Sequence, residues 1–252
     1  MQRGGITLAV LVLSTACASQ QRVDGTGDEP SGEIQAEILD PELGGWAEEF
    51  SDVKLDITSP TWNEVVPPGD VRVKFDLENY AVWQDGAHIH LVLDDQPYIA
   101  VYDGAGYVLE DVAPGAHLLR AFPSRPRHES IKASPDAFVM VRFVVGMEDG
   151  RYAVDPEAPL LTWSRPKGSY AGEAAQRILF DYYLTNVRLS QGGYRVRWTL
   201  DGEEHLATEW QPLWWENLAP GEHEIEVDLV DEKGAPVGNG GLGPTARTFT
   251  VK

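Results

Sequence analysis

Histidine is the residue type whose spacing in this chain could do chemistry. Four of the six histidines, His88, His90, His117 and His128, fall within residues 86–130. Read as a strand, residues 87–93 turn Ile89, Leu91 and Leu93 to one face and His88, His90 and Val92 to the other. The aliphatic face belongs in a core, so both imidazoles are expected to project outward together. Their Cα atoms then lie about 6–7 Å apart, the i to i+2 spacing of a strand. At that spacing two imidazoles can share one Cu or Zn ion. His128 sits in a proline-bounded loop that could fold back over the pair, and His117 opens a later strand as a fourth, lesser candidate ligand. Asp94, Asp95 and Glu129 offer oxygen ligands or acceptors for the ring N–H groups.

The second half of the chain supplies a contrast. Residues 86–94 (GAHIHLVLD) align with 193–201 (GYRVRWTLD), residues 109–117 (LEDVAPGAH) with 215–223 (WENLAPGEH), and Phe75–Asn79 with Phe180–Asn186. Three matches in the same order at an offset of about 106 indicate a tandem duplication. Arg195 and Arg197 replace His88 and His90 and cannot ligate a metal, so the fold does not need H-x-H there. His223 matches His117 after the same A-P-G turn, which points to a structural bond with a turn carbonyl.

The elements that must position these side chains are short strands. Val53, Leu55 and Ile57 alternate with polar residues, as do Val71, Val73, Phe75 and Leu77, and later Val139, Val141, Phe143 and Val145. Each copy holds about seven such strands and no long helical pattern. The expected fold is therefore all-β, two tandem immunoglobulin-like (fibronectin-like) sandwiches. The expected division is 51–147 for the first sandwich, 148–159 for an acidic linker and 160–252 for the second sandwich. Trp198 is expected in the core. Trp210, Trp214 and Trp215 cluster around Pro212; if exposed they could stack on sugar rings or on a protein partner, although adjacent Trp214 and Trp215 must face opposite ways.

Composition narrows the function classes. The formal net charge of −20 repels nucleic acid and anionic headgroups. The single cysteine, Cys17, excludes an intrachain disulfide and a thiolate metal cluster. No G-x-S-x-G elbow, H-E-x-x-H pair, P-loop or dinucleotide fingerprint occurs, so a non-catalytic protein is expected.

The N-terminus reads as an address. Arg3, the apolar run 6–13 and small residues before Cys17 make a secretory signal over residues 1–16, too short for a permanent span. Residues 17–50 are acidic and rich in Gly, Pro, Ser and Gln, a disordered flexible tether with at most a brief helix over 34–39. Ser14-Thr15-Ala16 before Cys17 resembles the lipobox of bacterial lipoproteins, although Leu13 stands four rather than three residues before the cysteine. That resemblance implies lipidation at Cys17 and anchoring to the membrane. Ala18-Ser19, lacking the acidic residue of inner-membrane retention, leans toward the outer membrane, facing periplasm or cell surface.

The order H-x-H, then G-x-H-x-L, then a later His resembles a group of exported bacterial β-sandwich domains, and more distantly the periplasmic copper-handling sandwiches of the copper-resistance kind. The copper-handling group often adds a methionine-rich segment, whereas here only Met140 and Met147 follow Met1. The functional expectation is a non-catalytic binding or scaffold module at the cell envelope, with a protein or glycan partner. The alternatives are metal (Cu or Zn) binding or delivery through the His-x-His strand, and carbohydrate binding through the tryptophan region.

Overall fold

The computed structural model describes residues 34–35, 50–239, 242 and 245–252; the signal segment, Cys17 and nearly all of the tether lie outside the described residues. In chain order the strands are β1 (Ile34–Gln35), β2 (Lys54–Ser59), β3 (Glu64–Val66), β4 (Gly69–Glu78), β5 (His88–Leu93), β6 (Ile99–Val101), β7 (Gly106–Val112), β8 (Gly115–Ser124) and β9 (Val139–Val145). There follow β10 (Leu160–Arg165), β11 (Gly168–Tyr170), β12 (Arg177–Thr185), β13 (Arg195–Leu200), β14 (Glu203–Ala207), β15 (Leu213–Glu216), β16 (Gly221–Val230) and β17 (Thr245–Val251). A single helical turn, Glu173–Gln176, precedes β12.

The protein is all-β, with two sandwiches of one design. In the first, a three-stranded sheet β2-β4-β7 faces a five-stranded sheet β3-β9-β8-β5-β6. In the second, β10-β12-β15 faces β11-β17-β16-β13-β14. Each five-stranded sheet opens with a parallel pair, β3 with β9 and β11 with β17, while the rest is antiparallel. Strand β1 extends the second sandwich by pairing antiparallel with β15, so Ile34–Gln35 are strand and not the brief helix expected from the sequence.

Alternation explains the strands that line one core. In β4, Val71, Val73 and Phe75 are buried while Arg72, Lys74 and Asp76 are exposed. In β16, His223, Ile225, Val227 and Leu229 are buried in the same way. Strands β5, β8 and β12 behave differently, being buried along nearly their whole length. Each has one face in its own sandwich and the other against the neighbouring sandwich. Between the sandwiches Val92, Tyr98, Phe122 and Tyr183 form one apolar cluster, and Leu118, Leu160 and Leu242 another. Each large apolar side chain buried there contributes roughly 1.5–3 kcal/mol.

Polar groups are buried with them. Lys132 Nζ lies 2.5 Å from Oδ1 of Asp181, whose side chain is wholly buried. Asp181 Oδ2 also accepts from the Ser130 amide at 3.2 Å. Arg120 Nη1 donates to Thr162 Oγ1 at 3.0 Å across the same seam.

Candidate metal centre

The expected outward face of β5 is covered. His88 and His90 do leave the core of their own sandwich, opposite Ile89 and Leu91, but both are 0% exposed. The second sandwich, arriving through β10, and the ring of Tyr98 close over them. The expectation of two solvent-facing imidazoles is corrected accordingly: a sheet's outer face is solvated only where nothing docks on it.

His128 joins the pair because of its turn. Pro126 fits the second position of a turn closed by the His128 amide on the Arg125 carbonyl at 2.9 Å. His128 itself takes a left-handed conformation, φ 69°, and the Arg125 amide then reaches the Glu129 carbonyl at 2.8 Å. This is a turn followed by a left-handed residue in a short hairpin loop, a geometry that histidine tolerates better than most residues. The loop turns the His128 ring back onto His88.

Three ring nitrogens converge. His90 Nε2 lies 3.0 Å from His88 Nε2, and His128 Nδ1 lies 2.9 Å from the same atom. All three candidate ligand atoms fall within 4.8 Å of one another. Outside this triangle, His88 Nδ1 sits 2.7 Å from the Gly86 carbonyl and His90 Nδ1 sits 3.1 Å from Ser164 Oγ. A carbonyl only accepts, so His88 Nδ1 carries the proton and its Nε2 presents a lone pair to the centre. A Cβ at Gly86 would come within 1.8 Å of Trp83 Nε1, so any larger residue there would displace the indole.

The environment keeps the rings neutral. Burial lowers the pKa of His88 despite the Gly86 bond, and Arg165 and Lys167 add to the fall. His90 is held well below the usual range by burial first, then by His88 and His128. His128 is pushed down to about 3 by burial, then by Arg165, His88 and Lys167. One in-plane lone pair on His88 Nε2 thus meets two neutral rings, each carrying a single N–H, and can accept fully from only one of them. A metal ion resolves that contact. With metal–nitrogen bonds of 2.0–2.1 Å, nitrogen ligands stand about 2.9 Å apart at right angles and about 3.4 Å apart at the tetrahedral angle. The two separations at His88 Nε2 are of that size, and the His90 and His128 nitrogens lie within 4.8 Å of each other. Gly86 and Ser164 already hold the remote nitrogens of two rings, as outer-shell acceptors do in histidine metal sites.

The other sequence candidates lie elsewhere. His117 is not in the cluster: its Nδ1 is 2.9 Å from Asp94 Oδ2 and its Nε2 is 2.7 Å from the Ala113 carbonyl. Both nitrogens are committed, which corrects its candidacy as a ligand. Burial opposes the charged ring, but the Asp94 carboxylate and the Ala113 carbonyl outweigh it and raise its pKa. His223 repeats the bracket, 2.6 Å from Asp201 Oδ2 and 2.8 Å from the Ala219 carbonyl. Asp94 serves His117, and Glu129 lies 3.5 Å from Arg125, so neither joins the triangle.

The tryptophans do not share a platform. Trp215 is wholly buried and stacks on Phe180, with ring centroids 5.2 Å apart, within the second core. Trp214, on the opposite face, lies under the Arg177 guanidinium at 4.6 Å. Trp210 donates Nε1 to the Tyr182 carbonyl at 3.0 Å and packs edge-on against Tyr183. Trp198 is in the core, as expected.

Residues not singled out from the sequence surround the histidines. Tyr98 stacks on His90 with centroids 3.6 Å apart and places its hydroxyl 3.1 Å from His128 Nδ1. Arg165 Nε donates to that hydroxyl at 2.8 Å, and Lys167 Nζ donates to the Tyr98 carbonyl at 2.6 Å. Burial, with Arg165 and Arg247 nearby, pushes Lys167 down to about 8. The available signal was the lack of strict polar–apolar alternation in β5, β8 and β12, which goes with strands buried on both faces.

No family model and no curated protein matches the chain. Among solved structures, it is similar to fibronectin(III)-like modules of Clostridium thermocellum CbhA, at 17% identity over 79% of this chain and 94% of that one, TM-score 0.28. A two-domain fibronectin type III segment of chicken tenascin is 12% identical over 79% and 98%, TM-score 0.25. Bacteroides ovatus SGBP-B, in complex with a mixed-linkage heptasaccharide, is 9% identical; this chain spans 47% of its length, TM-score 0.25. The immunoglobulin-like fold rests on the strand order given above. Among the described residues no helix is long and apolar enough to cross a membrane.

Proposed function

We propose that this is a non-catalytic binding protein of the cell envelope whose ligand is a transition-metal ion held by His88, His90 and His128. The observation that carries the reading is the convergence of three neutral ring nitrogens at 2.9 and 3.0 Å. Imidazole-only coordination suits Cu or Zn and does not suit Mg or Ca, which take oxygen ligands. Export and lipid anchoring at Cys17, with an outer-membrane address, complete the proposal and rest on the leader sequence. The glycan reading loses support, because Trp215 is in the core and Trp210 and Trp214 are each engaged by neighbours within the chain.

Calorimetric titration of residues 21–252 with Cu(II), Zn(II) and Ni(II) tests the metal reading, beside a His88→Ala/His90→Ala double variant. One ion bound at micromolar or tighter affinity, and lost in the variant, is expected. Equal binding by both proteins, or by neither, would refute the reading. Incorporation of labelled fatty acid into the full chain, abolished by Cys17→Ser, tests the anchor.

A further inference from the structure

We infer that Tyr98 is the fourth ligand of the histidine centre and that its oxygen makes the site one for a divalent ion, Cu(II) or Zn(II), rather than for Cu(I). The inference rests on the metal reading of His88, His90 and His128. It starts from the placement of one atom. The potential ligand atoms form a continuous run: His90 Nε2 to His88 Nε2 at 3.0 Å, His88 Nε2 to His128 Nδ1 at 2.9 Å, and His128 Nδ1 to Tyr98 Oη at 3.1 Å. Neighbouring ligand atoms around one ion with bonds near 2.0–2.2 Å are separated by about 3 Å. Tyr98 Oη lies at that ligand spacing from His128 Nδ1. The near-parallel stack of Tyr98 on His90, at 15° between planes, is compatible with both polar atoms addressing the same centre.

Charge supplies a second, independent reason. Three imidazoles are neutral, and the groups nearest to them that carry charge are the cations Arg165 and Lys167. Asp181, which also bears on Tyr98, is committed to Lys132, and Asp94 to His117. A divalent ion placed among these groups needs an anionic ligand. Tyr98, with its hydroxyl 3.1 Å from His128 Nδ1, is a side chain at the cluster that can become one; burial raises its pKa, and Arg165 beside the oxygen works against that rise. Arg165 Nε already donates to its oxygen at 2.8 Å, and the Lys167 ammonium lies 3.7 Å over its ring. On binding, the metal–oxygen bond replaces the phenol O–H bond and the proton leaves to solvent. Arg165 positions the oxygen without touching the ion. An anionic oxygen is a poor ligand for Cu(I), which takes soft donors, and a good one for Cu(II) or Zn(II).

The test is titration of residues 21–252 with Cu(II), followed by visible absorption and by proton release in weak buffer, for the wild type and Tyr98→Phe. A parallel titration uses Cu(I) under argon against a chromophoric chelator. The expected wild-type result is a phenolate-to-Cu(II) charge-transfer band that is missing in Tyr98→Phe, together with one more proton released per ion. Cu(II) affinity is expected to fall by at least tenfold in Tyr98→Phe while Cu(I) affinity is retained. The wild-type band is informative even if the variant folds poorly. Tight Cu(II) binding with no such band and no effect of Tyr98→Phe would overturn the inference and leave the three-histidine site standing. Failure of the wild type to bind any of these ions would remove both.

Discussion

The two sandwiches share a design and part company on one face. Both carry a five-stranded sheet led by a parallel pair. Both fasten the strand after an A-P-G turn with the same histidine bracket, His117 to Asp94 and the Ala113 carbonyl, His223 to Asp201 and the Ala219 carbonyl. In each, the aspartate takes a left-handed conformation and its other oxygen receives an amide of the bracketed strand at 2.9 Å. The outer faces of β5 and β13 diverge. On β5 that face carries His88 and His90, buried beneath the second sandwich. On β13 it carries Arg195 and Arg197, and Arg197 meets the Asp228 carboxylate at 2.6 Å near solvent. Duplication preserved what holds the fold, and the burial of one face against the other copy created the candidate site.

The largest expected effect comes from exchanging residues between these faces. His90→Arg puts an unpaired charge into the seam beside Arg165 and Lys167 and is expected to cost about 3–5 kcal/mol, the scale of an uncompensated buried charge. Arg197→His removes a partly exposed ion pair and is expected to cost no more than about 1 kcal/mol. Denaturant unfolding of the two variants measures the difference, and equal losses would break the comparison.

Metal affinity sharpens it next. His128→Ala removes one of three ligands and is expected to weaken binding by about 100-fold or more, at the upper end of what even outer-shell changes cause. The Arg195→His/Arg197→His variant is expected to gain no comparable second site, because the equivalent turn, closed by the Gly234 amide on the Asp231 carbonyl at 3.0 Å, carries Gly234 where the first sandwich has His128. Binding stoichiometry by mass spectrometry under native conditions reads both.

A smaller effect tests the shared bracket. His117→Ala and His223→Ala each leave a carboxylate oxygen and a carbonyl without their partner, and each is expected to cost about 1–2 kcal/mol. A large loss in one and none in the other would mean the two brackets do not do the same job.

The pH dependence of the metal-free chain separates the two kinds of histidine. His88, His90 and His128 have lowered folded values. Between those values and about 6.5, the unfolded chain binds protons that the native chain refuses, so stability falls as pH falls through that window. His117 has a raised folded value. Its contribution is complete below about 6.5 and is lost as pH rises through the raised value. Three groups against one give a net loss on acidification from pH 7 to 5. His128→Gln is expected to flatten that slope and His117→Ala to steepen it, both measured as urea midpoints.

Much of the architecture was legible because period-two alternation reports a single buried face. Val71, Val73 and Phe75 read as a strand and are one. The duplication was legible because A-P-G-x-H recurs where the bracket recurs. The seam was not, since alternation says nothing about what covers the second face. His88 and His90 were placed correctly on the side away from Ile89 and Leu91. Their burial depends on Ser164 and Arg165, more than seventy residues away, where β10 meets β12 with a register shift between Trp163 and Arg165. His128 could be suspected from its proline-bounded loop, whereas Tyr98 had no spacing to mark it.

X-ray absorption at the metal edge of the Zn(II)-loaded and Cu(II)-loaded protein addresses the central claim most directly. The expected spectrum contains the multiple-scattering pattern of three imidazoles with nitrogen near 2.0–2.1 Å, reduced to two or fewer in His128→Ala. A first shell of oxygen alone, or a spectrum unchanged by His128→Ala, would contradict the assignment of His88, His90 and His128 as a metal site.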